Sequence, residues 1–167
     1  MNKDPKLLEA LNVIEIGQHI AAPFASKLLA DLGANVIKIE PIEGDIARQI
    51  GPFPNDITNI EKSGLFLSLN TSKLGITLDF DNEEHIKHLY TLLETTDVLI
   101  EDQSYQLNSN FKFDYDKLTK MFPKLIITTI TPFGLTGPYK DYKANDLILF
   151  HMSSYAHIIA SSVEDPN

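Results

Sequence analysis

The stretch NVIEIGQHIAAPFASKLLADLGANVIKIE, residues 12–40, decides the fold. Its first five residues are apolar apart from Glu15, which predicts a strand buried on both faces except at that position. Gly17 ends this strand, and residues 18–22 form a loop of mostly small side chains. Pro23 suits the first turn of a helix, because the N–H that proline lacks has no partner there.

The second half of the same stretch predicts a helix followed by another strand. Phe24, Leu28 and Leu32 recur at helical spacing and share one face. Gly33 is typical of the residue that follows a helix, and residues 35–39 form the next apolar run. Two strands joined by so short a helical crossover should be parallel, with a right-handed connection.

The rest of the chain repeats this alternation. Further strands are predicted over residues 75–80, 98–100 and 125–131, and helices over residues 82–95, 115–122 and 144–155. Residues 63–70 fit either a helix or a strand, and a helix is favoured. The strand at 125–131 is rich in β-branched residues and is predicted to be central. Residues 41–62 form a long polar loop. The pattern predicts one α/β domain over residues 1–167: a Rossmann-like, doubly wound, mostly parallel sheet of about five strands with flanking helices.

Composition narrows the possible partners. The 167-residue chain has a net charge of −9, which argues against a nucleic acid or an anionic membrane as partner. It has no cysteine, so thiol nucleophiles and zinc–thiolate sites are excluded. The start of the sequence lacks the apolar core of a signal peptide, and a cytoplasmic location is expected. Arg48 is the only arginine, the side chain best shaped for bidentate phosphate contacts.

The first strand–loop–helix unit favours a ligand crevice at the ends of the strands. In such sheets phosphates bind near a helix N-terminus. Glu40 lies 23 residues after Gly17, close to the position of a ribose-binding acid, but the loop has one glycine where a dinucleotide fingerprint has three. A tight crossover packed by small residues is the alternative. His19 lies in the loop, either as a ligand contact or as an exposed residue.

Other polar residues allow further interpretations. His85 and His88 are three residues apart on a predicted helix, a spacing that can hold a metal, but no third ligand accompanies them and no metal site is predicted. Asp146 opens the last predicted helix. It is either a capping or first-turn acid, or a carboxylate in the crevice that serves as base or nucleophile.

The order of motifs along the chain resembles the class III CoA-transferases, which include formyl-CoA transferase, carnitine CoA-transferase and α-methylacyl-CoA racemase. The matching stretches are AAPFASKLLADLGANVIKIE (21–40) with GD at 44–45, LNTSKLGITLDF (69–80), TDVLIED (96–102), FDYDKL (113–118), FPKLIITTITPFGLTGPY (122–139) and ANDLI (144–148).

The resemblance implies a Rossmann-type large domain that binds CoA or acyl-CoA as substrate, together with a carboxylic acid, in a homodimer of two interlocked chains. Family members are more than twice this length, so the chain resembles the N-terminal, CoA-binding portion. The aspartate that forms the covalent intermediate in the transferases aligns beyond Asn167. The positions that match family CoA contacts are His19, Ile20 and Ala21 in the loop, Leu78 and Asp79 at a strand end near the adenine, and Lys143 near the phosphates.

Several basic residues of the family pattern are missing at these positions: Pro41 follows Glu40, residues 101–106 (EDQSYQ) lack an arginine, a later basic contact is lost near Asn110, and Leu74 follows Lys73. CoA carries about four negative charges, and each charge-assisted contact contributes about 1.5–3 kcal/mol. Weaker phosphate binding is therefore expected unless other lysines compensate, the candidates being Lys38, Lys73, Lys140 and Lys143.

Three functions stay open at this point. The first is acyl-CoA:carboxylate CoA transfer, with the chain as an N-terminal portion. The second is a non-catalytic paralogue or fragment that keeps the fold for CoA binding or association. The third is an acyl-CoA racemase, for which Asp146 aligns with the family aspartate, although Asn145 precedes it and the partner histidine position falls near Asp116.

Overall fold

Five parallel strands form the centre of the fold. The computed structural model describes residues 6–102 and 109–160, so the predicted segments at 103–106 and 161–167 lie outside the described residues. The strands are β1 (Asn12–Ile16), β2 (Asn35–Glu40), β3 (Leu74–Thr77), β4 (Val98–Glu101) and β5 (Ile126–Thr129). Their order in the sheet is β3-β2-β1-β4-β5, and every neighbouring pair is parallel. This confirms the predicted doubly wound α/β fold.

The helices follow the predicted alternation: α1 (Ala21–Asp31), α2 (Gly64–Leu69), α3 (Glu83–Leu93), α4 (Tyr115–Met121), α5 (Asp146–Met152) and α6 (Tyr155–Ala160). Two short 3₁₀ helices, Ile46–Gln49 and Pro54–Asp56, lie in the long loop after β2. None of the helices in residues 6–102 and 109–160 combines the length and hydropathy needed to cross a bilayer. The chain divides into two compact units, Met1–Ile130 and Thr131–Asn167.

The core of the first unit has a layer on each face of the sheet. Ile14 and Ile16 of β1 join a cluster that includes Leu89 of α3 and Leu118 of α4. Val13, the alternate residue of β1, packs with small residues of α1 in the second cluster. Side chains of a strand alternate between faces, so a strand buried on both sides needs apolar residues at successive positions, as β1 has at Val13, Ile14 and Ile16.

Helix α1 packs on the sheet through its small residues. Ala22, Ser26 and Ala30 are buried against the strands. Phe24 and Leu28, which the sequence places on a common apolar face, are about half exposed instead. The helix ends as predicted at Gly33, whose φ of +107° is the left-handed conformation of a Schellman cap.

Four predictions of detail are wrong. Glu15 is fully buried, because it has buried cationic partners. Among the described strands β5 is an edge strand, paired with β4 alone, although its β-branched residues suggested a central position. The strand predicted to reach residue 80 ends at Thr77. The helix predicted over 144–155 divides into α5 and α6 because Ser154 adopts a φ of +65°, which interrupts the helical hydrogen bonds.

Candidate coenzyme site

The β1–α1 loop, residues 17–20, lies at the carboxyl end of β1, next to the point where the strand order reverses between β1 and β4. Open α/β sheets bind ligands at this point. Gly17 is required here by close packing, because a Cβ at this position would lie 2.4 Å from Ala22 Cβ and 2.8 Å from Asp102 Oδ2. The loop is also tied to β4, since Gln18 N–H donates to Asp102 Oδ2 at 3.2 Å.

The three predicted loop contacts are all accessible. His19, Ile20 and Ala21 are exposed, and they lead directly into α1. His19 adopts a φ of +65°, a conformation uncommon outside glycine. Its N–H donates to Asp45 Oδ1 at 2.9 Å. The loop therefore presents a fixed backbone at the carboxyl edge of the sheet.

The N-terminus of α1 differs from those of α2, α3, α4 and α5. Side chains cap α2, α3, α4 and α5, through Ser63, Asn82, Asp114 and Asn145. No side chain caps α1, and its first turn contains no acidic residue. The first N–H groups of a helix have no intrahelical acceptor, and together with the helix dipole they favour an anion.

The second predicted contact region follows β3. Leu78 N–H donates to the carbonyl of Glu40 at 3.0 Å, so the chain after β3 stays beside the end of β2. Asp79 N–H donates to His85 Nδ1 at 2.9 Å, so this ring nitrogen of His85 has a hydrogen-bond partner within the protein. Among the described residues no group of three metal-ligating side chains is found. Leu78 and Asp79 line a small cavity of about 40 Å³ with Pro41 and Ser109.

The structure thus brings five of the six predicted coenzyme contacts to one edge of one sheet. The β1–α1 loop and the residues after β3 both lie at the carboxyl ends of parallel strands, with β2 between them. Lys143, the sixth, belongs to the second unit and is exposed.

A cluster of ionised side chains lies beneath this edge. We name it the buried charge cluster; its members are Glu15, Lys38, Glu40, Asp45, Arg48 and Lys73. Lys38, only 2% exposed, lies 3.0 Å from Glu15 Oε1 and 2.8 Å from Asp45 Oδ2. The contact with Asp45 Oδ2 is an ion pair without the alignment of a hydrogen bond. The three acids and three cations balance one another, as burial of charge requires.

The remaining contacts of this cluster tie the loop and α1 to it. Lys38 Nζ donates to the carbonyl of Gly17 at 2.8 Å. Lys73 Nζ donates to Glu15 Oε2 at 3.2 Å and to the carbonyl of Pro23 at 2.8 Å. Arg48 binds both oxygens of Glu40, with Nε at 2.7 Å and Nη2 at 2.8 Å. The bidentate geometry is the strongest form of this pair.

Burial and neighbouring charges shift the pKa values of this cluster in different directions. Burial disfavours the ammonium of Lys38, but Glu15 and Asp45 outweigh it and raise its pKa. Burial likewise opposes the carboxylate of Glu40, yet the hydrogen bonds from Arg48 and from Asp45 N–H lower its pKa. For Lys73 burial dominates, and with repulsion from Lys38 it lowers the pKa to about 8.

These contacts correct two sequence interpretations. Lys38 and Lys73, two of the four lysines considered as substitutes for missing phosphate contacts, are occupied by internal acceptors and are not available to a ligand. Glu40, proposed as a ribose-binding acid, is 6% exposed and already accepts from Arg48 and Asp45. The dinucleotide-binding interpretation therefore lacks a ribose-binding acid as well as the complete glycine fingerprint.

The second unit contains the remaining candidate. Asp146 is the first residue of α5, and Asn145 caps the helix by accepting from Ile148 N–H at 3.1 Å. Asp146 is therefore a first-turn acid rather than the cap. It is exposed and lines a cavity of about 590 Å³ whose walls include Phe133, Tyr139 and Tyr155.

A somewhat larger cavity, of about 640 Å³, lies in the first unit. Its lining includes Ile86, Tyr90, Phe111 and Met121, and it contains none of the predicted coenzyme contacts. The geometry of strand ends and helix termini, rather than cavity volume, marks the candidate site.

Comparison with known proteins decides the family. Residues 8–167 match the sequence model of CoA-transferase family III. The chain belongs to that family. A similar member is the succinate–glutarate CoA-transferase of Agrobacterium fabrum, 36% identical over 160 residues, which cover 94% of this chain and 40% of that protein. Another is the (R)-2-hydroxy-4-methylpentanoate CoA-transferase of Clostridioides difficile, 35% identical over 81% of this chain and 34% of that protein.

A solved structure agrees with the fold of this CoA-transferase family III chain. The crystal structure of a CaiB/BaiF family protein from Brucella suis superimposes with a TM-score of 0.78 at 33% identity, covering 90% of this chain and 40% of the other. The predicted family and the Rossmann-like fold are thereby confirmed. The chain spans about two fifths or less of the length of these relatives.

The buried charge cluster was missed from the sequence, although a signal for part of it exists. Glu15 and Lys38 are the only charged residues inside the apolar runs of β1 and β2 before Glu40, and they are register partners in the sheet. Opposite charges at paired positions of two buried strands indicate an ion pair. No comparable signal leads to Asp45, which lies in the loop after β2.

Proposed function

We propose that this chain forms the CoA-binding portion of an acyl-CoA:carboxylate CoA-transferase of family III. The observation that carries the proposal is the uncapped N-terminus of α1, which follows the exposed residues His19 and Ile20 at the carboxyl edge of the sheet. An anion beside the first turn of α1 would meet unpaired N–H donors and a favourable dipole. The pyrophosphate of CoA provides such an anion.

Each predicted contact has a role in this proposal. His19, Ile20 and Ala21 border the pyrophosphate and the pantetheine arm, Leu78 and Asp79 receive the adenine, and Lys143 contacts a phosphate. In the transfer reaction the acyl group of the acceptor acid replaces the donor acyl group on the sulfur of CoA, and the donor acyl group takes up an oxygen of the acceptor carboxylate and leaves as a free carboxylate. We assign the covalent aspartate to residues beyond this chain. The interlocked homodimer and the cytoplasmic location stay predictions.

Isothermal titration of the purified chain with CoA tests the coenzyme part. We expect Ala21→Asp to weaken CoA binding by at least about tenfold, because its carboxylate repels the phosphates and takes their place at the helix terminus. The matched variant Ala21→Asn has nearly the same size without the charge and should bind as the wild type does. Lys143→Ala should weaken binding by about tenfold or more. Absence of CoA binding by the folded wild-type chain would contradict the proposal.

Thioester exchange tests the reaction. The complete gene product that contains this chain should move CoA from an acyl-CoA donor to a free carboxylic acid, followed by chromatography of the two thioesters. A folded product that binds CoA yet exchanges no thioester with any of a panel of dicarboxylic, 2-hydroxy and aromatic acids would remove the transferase assignment.

A second candidate function rests on the basic side chains that are already paired with acidic side chains of the protein. Lys38, Arg48 and Lys73 all pair with acids of the protein, which leaves fewer charges for the phosphates of CoA. This favours a non-catalytic paralogue that keeps the fold for weak CoA binding or for association. Binding of CoA without thioester exchange by the complete gene product would select this candidate. The racemase alternative needs a histidine partner for Asp146, and the aligned histidine position falls near Asp116, where the sequence has no histidine.

A further inference from the structure

The Gly-Asp pair at residues 44–45 has no role in the function described so far. Gly44 adopts a φ of +79°, so it turns the chain sharply after β2. The turn brings Asp45 inward to the buried charge cluster, where it is 1% exposed. A carboxylate so deeply buried in a loop needs a reason, because removing it from water is costly without partners.

The Asp45 carboxylate joins the loop after β2 to the β1–α1 loop. Its Oδ1 accepts from His19 N–H at 2.9 Å and from Ala47 N–H at 2.8 Å. Its Oδ2 lies 2.8 Å from Lys38 Nζ, and Lys38 also holds the carbonyl of Gly17. The β1–α1 loop is thus fixed at both ends, at Gly17 and at His19, by one buried ion pair.

His19 is the residue on which this contact acts. Its φ of +65° is disfavoured for a residue with a Cβ, so the conformation persists only where the surroundings impose it. The bond from His19 N–H to Asp45 supplies that constraint. Without it, His19 would relax toward negative φ, which would change the direction in which the chain enters α1.

We propose that Asp45 is the positioning residue of the coenzyme loop: its bond to His19 N–H holds that residue in the left-handed conformation in which Ile20 and Ala21 border the ligand. The inference rests on the proposed CoA binding and names a residue that does not itself contact the coenzyme. It predicts that affinity for CoA depends on Asp45 because of the conformation of His19.

A suppressor experiment separates positioning from general stability. Asp45→Ala should weaken CoA binding by at least about tenfold in the wild-type background. His19→Gly removes the Cβ that disfavours positive φ, so the loop no longer needs the constraint. Asp45→Ala made in the His19→Gly background should then change CoA affinity by less than about threefold. Equal losses in the two backgrounds would overturn the inference.

Two further variants keep the result interpretable. Ser63→Ala is the matched control, because buried Ser63 bonds to the carbonyls of Ala47 and Ile50 in the same loop but not to His19. It should lower the melting temperature without changing CoA affinity.

If Asp45→Ala does not fold, Asp45→Asn replaces it. The amide oxygen keeps an acceptor for His19 N–H, so CoA should bind as in the wild type despite the lost charge. Loss of binding in folded Asp45→Asn would count against the inference.

Amide hydrogen exchange at His19 gives a readout that needs no coenzyme. The His19 amide should be protected in the wild type and in Asp45→Asn, and should exchange rapidly in Asp45→Ala. Rapid exchange in the wild type would overturn the positioning role. A wild-type chain that protects this amide but binds no CoA would instead contradict the proposed function, so the two failures are distinguishable.

Discussion

Lys73 is the residue whose charge state depends most on the fold. Its ammonium donates to three oxygens, of Glu15, Pro23 and Asn70, which link β1, the first turn of α1 and the chain after α2. Burial and the nearby ammonium of Lys38 nevertheless lower its pKa from the ordinary 10.5 to about 8. The folded protein therefore releases this proton more readily than the unfolded chain does.

This shift predicts a rise of stability with pH. Between pH 8 and 10.5 the unfolded chain keeps the proton on Lys73 that the folded protein has lost, so the free energy of unfolding rises with pH over this interval. Above about pH 10 the raised pKa of Tyr90, caused by burial and by Asp114, acts in the opposite direction. Urea unfolding measured from pH 7 to 9.5 should show the rise.

The matched variants isolate Lys73. Lys73→Met should be less stable overall, because it leaves three acceptors without their donor, and its stability should rise less between pH 8 and 9.5. Lys62→Met, at an exposed lysine, should keep the wild-type slope. Identical slopes in wild type and Lys73→Met would show that the pKa of Lys73 is not lowered.

For single residues, the sequence predicted their place in the fold better than it predicted which other side chains they contact. The loop residues His19, Ile20 and Ala21 could be located because the end of a buried strand and the start of a helix are local patterns. The contacts of Arg48 and the contact of Lys38 with Asp45 could not be predicted, since they depend on which acids of other segments these long side chains reach. Glu15 was misplaced for the same reason: a charge in an apolar strand suggests solvent unless its partner on β2 is known.

The junction of β1 and α1 determines where the first turn of α1 lies at the carboxyl edge of the sheet. Gly17 lets the first turn of α1 approach the strand, and Ala22 occupies the space that any side chain at Gly17 would need. Because Ala22, Ser26 and Ala30 form the buried face, the helix axis lies close to the sheet. The position of the uncapped helix terminus therefore follows from small residues on both sides of the contact.

We expect Gly17→Ala to destabilise the protein by about 1–3 kcal/mol through overpacking. Gly75→Ala is the matched control, because a Cβ there has no atom within 4 Å and its backbone is suitable for alanine. It should leave stability unchanged or raise it slightly. Denaturant unfolding of both variants provides the comparison, and equal stability of Gly17→Ala and wild type would refute the close-packing argument.

Helices and strands whose apolar residues recur regularly were predicted well. The residues at which elements end, and the order of strands in the sheet, were predicted less well. β1, β2 and α3 match the predicted patterns because their apolar residues recur regularly, whereas α1 forms where it was predicted but buries its small residues in place of the predicted apolar face. The break between α5 and α6 was not predicted, since the Ser153–Ser154 pair is compatible with a helix and only the backbone of Ser154 interrupts it. The edge position of β5 depends on sheet order, which strand composition alone does not determine.

At the scale of the whole molecule, an apolar stripe on α1 lacks cover among the described residues. Phe24, Leu28 and Leu32 lie one helical turn apart and are 49%, 50% and 48% exposed. Single exposed apolar residues are ordinary on protein surfaces, but three in register form a continuous stripe of the kind that marks an association surface. The predicted homodimer of the family would be one way to cover it.

We therefore expect the 167-residue chain, purified alone, to self-associate. Covering one such side chain contributes about 1.5–3 kcal/mol at most, so three together can hold a reversible complex. Light scattering over a dilution series should report a mass above that of the monomer, 18.7 kDa, and Leu28→Lys should lower it toward that value. Ile57→Lys, at an exposed position in the loop after β2, should not change it. A monodisperse, stable wild-type monomer at every concentration would mean that the stripe needs no partner.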